Sequence, residues 1–301
     1  MAHLQLDKVF GVSGLIVLVS GGGTGIGLMI AKGFAANGAK VYIGGRRKEV
    51  VEKAAAEHGV GVSGKLLPIA LDVTNKESIE SAVKLIDLEN DGKLDILINN
   101  AGQSGPVSKF LSDPNAPECK DTRTLGTSLF NKESFEGWSD LFSVNVSSVF
   151  FVSTAFLGLL EKASKTREAE RGGWSSSVIN ITSISGQMKL SQDHFAYNAS
   201  KAAAIHLTKM LSTELALRKI PIRVNTISPG PFASEMTMGE ITADSVDLIS
   251  KGTAKIPSAR GGVDTDIVGA AVYLASPASY YINGQVITVD GGFLAVNPAV
   301  V

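Results

Sequence analysis

Short apolar runs alternate with longer amphipathic stretches along most of the chain. Each run is rich in Val, Ile and Leu, which is typical of strands buried on both faces. The intervening stretches have the spacing of helices. Strands that alternate with helices predict a doubly wound parallel sheet with helices on both faces, in the manner of a Rossmann fold. The predicted strands are 15–19, 41–45, 66–71, 94–98, 177–182, 222–227 and 285–289.

The predicted helices join these strands without a linker or an internal repeat, so we predict one α/β domain over residues 1–301. The longest, from Phe135 to Leu160, has apolar residues on more than one side, which indicates burial against the sheet or another subunit. The charged stretch 161–171 is expected to be exposed to solvent. The other predicted helices are 28–37, 47–58, 76–88, 196–218 and 264–275.

Two segments do not fit this alternation. Residues 103–135 are polar and longer than an ordinary connection. We expect this insertion to form a surface excursion near the rim of the functional site, or to contact another subunit. The segment of about 231–255 places small and polar residues between apolar ones, which is typical of a mobile lid over a binding site.

A glycine-rich loop follows the first predicted strand. Residues 20–27 read Ser-Gly-Gly-Gly-Thr-Gly-Ile-Gly and lead directly into a predicted helix. Glycines in this context permit a tight turn and let the backbone approach a pyrophosphate, which the free N–H groups and dipole of the helix N-terminus favour. The strand, loop and helix therefore predict a dinucleotide site. A simple turn is the alternative interpretation.

The end of the second predicted strand indicates which dinucleotide binds. An acidic residue there would accept hydrogen bonds from a ribose 2′-hydroxyl and repel a 2′-phosphate. This chain instead has Gly45 followed by Arg46 and Arg47, whose guanidinium groups can hold a phosphate with paired hydrogen bonds. We therefore predict NADPH/NADP+ as the cofactor. The alternative is that the two arginines only open a solvated helix.

Two polar residues stand at the ends of other predicted strands. Asp72 follows the third strand and Asn99 follows the fourth. Ligands of doubly wound sheets lie beyond the carboxyl ends of the strands. The carboxylate and the amide could therefore meet an adenine or brace adjacent loops.

Tyr197 and Lys201 stand four residues apart in a predicted helix, so their side chains share one face. A phenol normally ionises near pH ~10, and a neighbouring ammonium favours the phenolate. Such a tyrosine can exchange a proton with a substrate near neutral pH. Taken alone, the same spacing is also that of two solvated neighbours on a helix surface.

Composition excludes several classes of function. A formal net charge of −1 and a pI near 6.4 provide no basic surface for nucleic acid and no polybasic patch for a membrane. The one cysteine, Cys119, rules out a disulfide within the chain and fits a reducing compartment. The sequence shows no signal peptide, membrane helix or metal-ligand pattern. We therefore expect a cytoplasmic protein that binds a small molecule and no metal.

Together these motifs resemble those of the classical short-chain dehydrogenase/reductase family over nearly the whole chain. The resemblance is greatest to NADPH-dependent ketoreductases of the 3-oxoacyl-carrier-protein and rhamnolipid-pathway kind. The family implies a seven-stranded sheet and a homotetramer, or a homodimer, built on two long helices per subunit, here 135–160 and 196–218. The markers, in order, are the loop 20–27, Asp72, Asn99 to Gly102, Asn145, Ser183, Tyr197 with Lys201, and Pro229 with Gly230.

The resemblance implies a role for each marker residue. Tyr197 would be the general acid for carbonyl reduction, and Lys201 would lower its pKa and bind the nicotinamide ribose. Ser183 would hold and polarise the substrate oxygen, and Asn145 would bind a water that links Lys201 to solvent. The residues expected to contact the cofactor are Gly21, Gly23, Thr24, Gly25, Ile26, Gly27, Arg46, Arg47, Asp72, Val73, Asn99, Ala101, Gly102, Tyr197, Lys201, Pro229, Gly230 and Phe232.

The substrate is not identified by this resemblance. The candidate contacts are mixed apolar and polar, so we expect a neutral or apolar ketone, or a thioester-linked 3-oxoacyl group. Two departures from the family pattern, the length of the insertion 103–135 and the bulk of Phe232, are expected to shape the entrance and the pocket. The candidate contacts are Gln103, Ser185, Gln187, His194, Phe232, Met236 and Met238.

The sequence thus predicts an oxidoreductase that reduces a ketone or aldehyde to an alcohol by hydride transfer from NADPH. The main alternative is an NAD-linked secondary-alcohol dehydrogenase working in the oxidative direction. A cofactor-binding regulator without turnover would be expected to have lost Tyr197, Lys201 or Ser183, and all three are present. An epimerase or dehydratase of the extended branch would need a larger C-terminal domain, for which this chain has no room.

Overall fold

Seven parallel strands form one sheet in the computed structural model of the protein. The structure describes residues 1–171, 173–232 and 256–297. The strand order is β3-β2-β1-β4-β5-β6-β7, so the direction of winding reverses between β1 and β4. This confirms the predicted doubly wound sheet. The strands are β1 (Ile16–Ser20), β2 (Lys40–Gly45), β3 (Lys65–Ala70), β4 (Ile96–Asn99), β5 (Ser176–Ile181), β6 (Ile222–Pro229) and β7 (Val286–Val289).

Helices pack on both faces of this sheet. Successive side chains of a strand point to opposite faces, so β1 directs Val17 and Val19 to one core and Leu18 to the other. The helices are α1 (Leu6–Val9), α2 (Gly25–Ala36), α3 (Lys48–His58), α4 (Lys76–Glu89), α5 (Thr122–Lys132), α6 (Phe135–Phe142), α7 (Ser148–Ala155), α8 (Leu157–Arg171), α9 (Phe195–Leu217), α10 (Asp264–Ala275) and α11 (Phe293–Val296). Helices α2, α3 and α10 complete the first core, and α4, α7, α8 and α9 complete the second.

The prediction of one long helix from Phe135 to Leu160 is wrong. The chain forms α6, a π-helical segment Ser143–Ser147, α7, and a break at Phe156 before α8. The hydroxyl of Thr154 donates to carbonyl oxygens of the preceding turn, and such back-bonding bends helices. Hydrophobic periodicity does not reveal these interruptions because apolar residues continue through both of them.

Among the described residues, no single helix is long and apolar enough to cross a membrane. One bent pair, Phe135–Ala155 with Leu157–Ala169, reaches that length and composition only when both parts are taken together across a 53° bend. Val152, Phe156 and Leu160 of this pair are fully buried in the second core. Packing against the sheet therefore accounts for their apolar character.

The insertion 103–135 is folded onto the domain. It contains 3-10 turns at Lys109–Ser112 and Pro117–Cys119, followed by α5. The side chain of Asp121 caps α5 by accepting a hydrogen bond from the backbone N–H of Thr124. The insertion therefore has secondary structure of its own at the surface, and its contact with another subunit stays a prediction.

The charged stretch 161–171 lies in α8 and is not wholly exposed to solvent, contrary to expectation. The Arg167 guanidinium donates to the carboxylate of Asp95 at 2.5 and 2.7 Å and to the carbonyl oxygen of Gly14 at 2.7 Å. Asp95 is 1% exposed and also accepts a hydrogen bond from the backbone N–H of Ile16. This buried ion pair ties α8 to the N-terminal ends of β1 and β4.

Candidate active site

The glycine loop joins β1 to the N-terminus of α2 and is held by the end of β4. Gly21 and Gly25 have φ angles of +63° and +51°, a backbone region that favours glycine. The Asn100 amide donates to the carbonyl oxygens of Ser20 at 3.2 Å and Gly21 at 2.9 Å. A Cβ on Gly27 would lie 2.3 Å from that amide nitrogen. The glycines of the motif therefore serve both the turn and the contact between two strand ends.

A cavity of about 620 Å³ lies beyond the carboxyl ends of the strands, where the winding reverses between β1 and β4. Doubly wound sheets bind dinucleotides at this place. Residues at the N-terminus of α2 line the cavity, where free N–H groups favour a pyrophosphate. The lining includes these predicted cofactor contacts: Gly21, Gly23, Thr24, Gly25, Ile26, Arg46, Arg47, Asp72, Val73, Ala101, Gly102, Tyr197 and Lys201.

Arg46 and Asp72 lie near one another at the wall of this cavity. Arg46 is exposed to solvent, so its guanidinium is accessible to a ligand. Partial burial raises the pKa of the Asp72 carboxyl, but hydrogen bonds from the hydroxyl and backbone N–H of Thr74, with a smaller contribution from Arg46, hold that pKa below its usual value. The wall therefore carries an ionised carboxylate and a cation side by side.

The Asn99 side chain does not line the cavity, and its predicted contact with a cofactor stays a prediction. The Asn99 amide points into the core and donates to the side-chain oxygens of Ser153 at 2.9 Å and Asn180 at 2.8 Å. The next residue, Asn100, lines the cavity and was missed by the sequence reasoning. Because side chains alternate along a strand, adjacent asparagines at a strand end cannot both face the same side.

Side chains from separate elements meet at one end of the cavity. Tyr197 and Lys201 lie one turn apart on α9, and Ser183 follows β5. The Ser183 side chain hydrogen-bonds to the Tyr197 phenol. The Lys201 ammonium donates to the carbonyl oxygen of Ile181 at 3.1 Å and lies 5.6 Å from the centre of the Tyr197 ring. The structure thus brings together the serine, the tyrosine and the lysine that the sequence singled out.

Burial controls the protonation of both residues on α9. Lys201 is 6% exposed, and burial lowers the pKa of its ammonium to about 8. Burial also raises the pKa of the Tyr197 phenol, an effect that the hydrogen bond from Ser183 opposes. The expectation that Lys201 lowers the pKa of Tyr197 stays a prediction for the protein with its cofactor bound. Removal from water disfavours the charged phenolate.

Asn145 connects the start of the insertion to α9. Its side chain accepts a hydrogen bond from the backbone N–H of Gln103 and donates to the Gln103 carbonyl oxygen, both at 3.0 Å. It also donates to the hydroxyl of Ser200 at 3.0 Å. A Cβ on Gly102 would lie 3.3 Å from Asn145 Oδ1 and 3.5 Å from Lys201 Nζ. The π-helical segment therefore delivers Asn145 to the neighbourhood of Lys201, and its link to a water stays a prediction.

Two predicted substrate contacts lie beside the tyrosine. The ring of His194 lies edge-on to that of Tyr197, with 6.1 Å between the ring centres. Ser185 donates its backbone N–H to Ser183 Oγ at 3.1 Å. Ser185 therefore fixes the hydroxyl that contacts the phenol, and His194 borders the same site.

Gln187 connects strand ends at the site. Its amide donates to the hydroxyls of Ser228 at 2.7 Å and Thr288 at 3.3 Å, so the nitrogen of this predicted substrate contact is engaged within the protein. The amide ties the loop after β5 to the ends of β6 and β7. A substrate would therefore meet Gln187 as part of a fixed wall.

Phe232 is not part of the lining of the large cavity, and its predicted contact with the cofactor stays a prediction. It is 2% exposed and packs against Gly262, where a Cβ would lie 2.3 Å from the ring. Phe232 instead lines a second cavity of about 340 Å³. Pro229 and Gly230 are also absent from the lining of the large cavity. Of the predicted lid at about 231–255, residues 233–255, with Met236 and Met238, lie outside the described residues.

The residues around the large cavity fit a nicotinamide dinucleotide. The close approach of the Gly21 backbone to β4 leaves no room for a Cβ, because it would lie 2.9 Å from the Cα of Ala101. This bare backbone and the helix N-terminus suit a pyrophosphate, and Arg46 suits a phosphate on the ribose. Within the part of the chain that the structure describes, no group of three or more His, Cys, Asp and Glu residues is placed to hold a metal ion.

Known proteins share both the sequence pattern and the fold. The family model described as enoyl-(acyl carrier protein) reductase matches residues 21–294. Short-chain dehydrogenase/reductase PhomF of Diaporthe leptostromiformis is 38% identical over 294 residues, which cover 97% of this chain and 95% of the relative. The rhamnolipids biosynthesis 3-oxoacyl-[acyl-carrier-protein] reductase of Pseudomonas aeruginosa is 33% identical over 290 residues, covering 96% of this chain and 99% of the relative.

A solved structure extends the comparison to the site. The complex of Pseudomonas aeruginosa RhlG with NADP has a TM-score of 0.77 and 31% identity, covering 95% of this chain and 98% of that chain. Fold and site together define a Rossmann-fold oxidoreductase. The chain belongs to the short-chain dehydrogenase/reductase family.

Proposed function

We propose that the protein reduces a ketone or aldehyde to an alcohol with NADPH, and that Tyr197 is the general acid. The observation that carries this proposal is the meeting of Tyr197, Ser183 and Lys201 at one end of the large cavity. A hydrogen-bonded tyrosine and serine provide two donors for one carbonyl oxygen. A buried lysine provides the neighbouring positive charge.

The proposed chemistry assigns one task to each residue. The bound cofactor supplies the hydride that adds to the carbonyl carbon. The Ser183 and Tyr197 hydroxyls then stabilise the negative charge that develops on the carbonyl oxygen. Tyr197 gives its proton to that oxygen, so that an alcohol and a phenolate result. The Lys201 ammonium stabilises the phenolate until a proton from solvent replaces the one transferred.

The protonation of Tyr197 supports the reductive direction. Burial raises the pKa of this phenol, so at neutral pH it holds the proton that a carbonyl reduction consumes. An alcohol oxidation would need the phenolate as its base instead. An NAD-linked secondary-alcohol dehydrogenase is therefore the second candidate, and alkaline conditions would favour it.

The preference for NADPH rests on the end of β2. Gly45 stands there in place of an acidic residue, and the exposed Arg46 and Arg47 follow it along the cavity wall. A ribose 2′-phosphate would meet guanidinium groups and no carboxylate from β2. NADP in the related complex agrees with this preference.

The proposed substrate is a neutral or apolar ketone, or a 3-oxoacyl thioester. His194, Ser185 and Gln187 lie at the site, and none of these three is an arginine or lysine that could clamp an anionic substrate. The relative from Pseudomonas aeruginosa is a 3-oxoacyl-[acyl-carrier-protein] reductase, which agrees with a substrate of this class.

A panel of carbonyl compounds would test this function directly. We expect the protein to consume NADPH with a neutral 3-oxo ester or an acetoacetyl thioester, and to consume NADH much more slowly. A keto sugar acid serves as the anionic comparison. Absence of NADPH consumption across the panel, together with NAD reduction by secondary alcohols, would favour the second candidate and contradict the first.

We also propose a homotetramer, or a homodimer, as the assembly. Phe150 and Phe151 of α7 and Met210 of α9 are apolar and more than two-fifths exposed in the single chain. Helices with such exposed apolar residues are expected to bury them against another copy. Light scattering would measure the mass, and a monomer at micromolar concentration would contradict this assembly.

A further inference from the structure

The loop that precedes α9 has an unusual backbone. Gln192 and Asp193 have φ angles of +49° and +70°, which residues with a side chain seldom adopt. Two such residues in succession persist only when the surroundings hold them. His194 follows directly as the N-terminal cap residue of α9, and Tyr197 lies in the first turn of that helix.

The insertion holds this loop through two hydrogen bonds. The backbone N–H of Ser108 donates to the Asp193 carbonyl oxygen at 2.9 Å, and the Ser112 hydroxyl donates to the Asp193 carboxylate. Asp193 is 3% exposed and Ser108 is completely buried. Ser112 is itself exposed, so its hydroxyl reaches inward from the surface. We define this arrangement of Ser108, Ser112 and Asp193 as the insertion clamp.

Ser108 of the clamp is also hydrogen-bonded to the C-terminal end of the insertion. The Ser108 hydroxyl donates to Glu133 Oε1 at 2.8 Å, and the indole N–H of Trp138 donates to Glu133 Oε2 at 2.9 Å. Glu133 follows α5 and Trp138 lies in α6, so both ends of the insertion are joined. The insertion therefore presents a fixed surface to the loop before α9.

Contacts from both sides connect this loop to the first turn of α9, where Tyr197 lies. The Asn198 amide donates to the carbonyl oxygens of Leu190 and Ser191, which ties the loop to the first turn of α9. The ring of His194 contacts the ring of Tyr197 edge-on. A change at Asp193 would therefore move both the helix start and the histidine that borders the phenol.

We propose that Asp193 is a positioning residue for Tyr197 and that the insertion clamp holds it in place. The long insertion would then support the position of Tyr197 without contacting the reacting atoms. The consequence for catalysis rests on the function proposed for Tyr197. General acids need accurate placement, since a displacement of about 1 Å can lower the rate by about a hundredfold.

Replacing Ser112 tests the clamp without removing a buried group. We expect Ser112→Ala to speed amide hydrogen exchange of residues 191–198 and to lower kcat about tenfold with an acetoacetyl thioester. The Kd for NADPH, measured by fluorescence, should stay unchanged because the clamp does not line the cavity. Asp113→Ala is the matched control, because Asp113 lies in the same insertion and bonds only the N–H of Asn115 among the side-chain contacts described.

Substitutions of Asp193 provide a second test of the clamp. Asp193→Ala removes the acceptor and leaves alanine in a left-handed backbone, so its effects on exchange and kcat should exceed those of Ser112→Ala. Asp193→Asn keeps an acceptor oxygen and tolerates that backbone, so it should restore both values to near those of the wild type.

The outcomes separate this proposal from the proposed function. Exchange and kcat of Ser112→Ala that match those of Asp113→Ala would overturn the clamp. Faster exchange with unchanged kcat in an active enzyme would overturn the positioning role of Asp193. If the wild-type protein reduces no carbonyl compound, the proposed function fails. In that case, faster exchange at 191–198 in Ser112→Ala still supports the clamp, and unchanged exchange overturns it.

Discussion

The two ends of the large cavity are built from different parts of the chain. At the end near β1 and α2, backbone groups of the glycine loop form the wall, and no side chain fits at Gly27. At the other end, side chains of Ser183, Tyr197 and Lys201 come from β5 and α9. The first end is a local strand-loop-helix unit, whereas the second exists only when the sheet has formed.

The cations at the two ends of the cavity differ in their exposure to solvent. Arg46 is exposed beside the first end, where water keeps a guanidinium charged at low cost. Lys201 is 6% exposed at the second end, and burial lowers its pKa to about 8. In the proposed function, the exposed end would bind the cofactor phosphate and the buried end would take part in the proton transfer.

Removing the hydroxyl of Tyr197 should lower the rate of reaction and leave cofactor binding nearly unchanged. We expect Tyr197→Phe to lower kcat by about a thousandfold, because a positioned general acid contributes on that order. The Kd for NADPH, measured by fluorescence, should change little. Tyr281→Phe is the control, since Tyr281 is 99% exposed. Full activity in Tyr197→Phe would exclude the tyrosine as the acid.

Burial of Lys201 should be visible in the stability of the protein. Its folded pKa of about 8 lies below the ordinary lysine value of 10.5, so the unfolded chain binds more protons between these values. The unfolding free energy of the wild type should therefore rise by about 3 kcal/mol relative to Lys201→Met as pH increases from about 8 to above 10.5. Urea unfolding at several pH values measures this difference.

The control for that measurement is Lys209→Met, which removes an exposed cation from the same helix. Its difference from the wild type should vary much less over the same pH interval, because Lys209 keeps contact with water. Parallel pH curves for the wild type and Lys201→Met would show that Lys201 is not desolvated. The two ends of the cavity would then not differ in the desolvation of their cations.

Adding a methyl group at the backbone end should weaken cofactor binding. A Cβ on Gly27 would lie 2.3 Å from both the Asn100 amide and the Gly21 carbonyl oxygen, so the loop must shift. We expect Gly27→Ala to raise the Kd for NADPH roughly thirtyfold, or about 2 kcal/mol. Gly126→Ala is the control, since a Cβ there meets nothing within 4 Å. Equal affinities in the two variants would contradict the described loop.

Removing Arg46 should discriminate between the two dinucleotides. We expect Arg46→Ala to raise the Kd for NADPH about tenfold, since an exposed charged contact is worth about 1 kcal/mol, and to leave NADH nearly unchanged. Lys48→Ala removes a neighbouring cation that does not line the cavity. A similar loss for both dinucleotides in Arg46→Ala would remove the role of Arg46 at the 2′-phosphate.

The accuracy of the sequence predictions follows this division between local and assembled features. The alternation of strands and helices predicted the sheet, because each element carries its own hydrophobic period. The same period concealed the π-helical segment at Ser143–Ser147, which changes only the hydrogen bonds of an apolar helix. Composition also marked 161–171 as solvated, although Arg167 pairs with the buried Asp95, 72 residues away along the chain.

The glycine loop, the alternation of strands and helices along the chain, and the spacing of Tyr197 and Lys201 can be read from the amino-acid sequence alone. These features depend on neighbours in the chain, where spacing fixes geometry. The folded structure was needed to show that Asn100 rather than Asn99 faces the cavity, that burial raises the pKa of Tyr197, and that the insertion is hydrogen-bonded to Asp193. Each of these depends on burial or on a contact between distant segments, and neither quantity is encoded by local spacing.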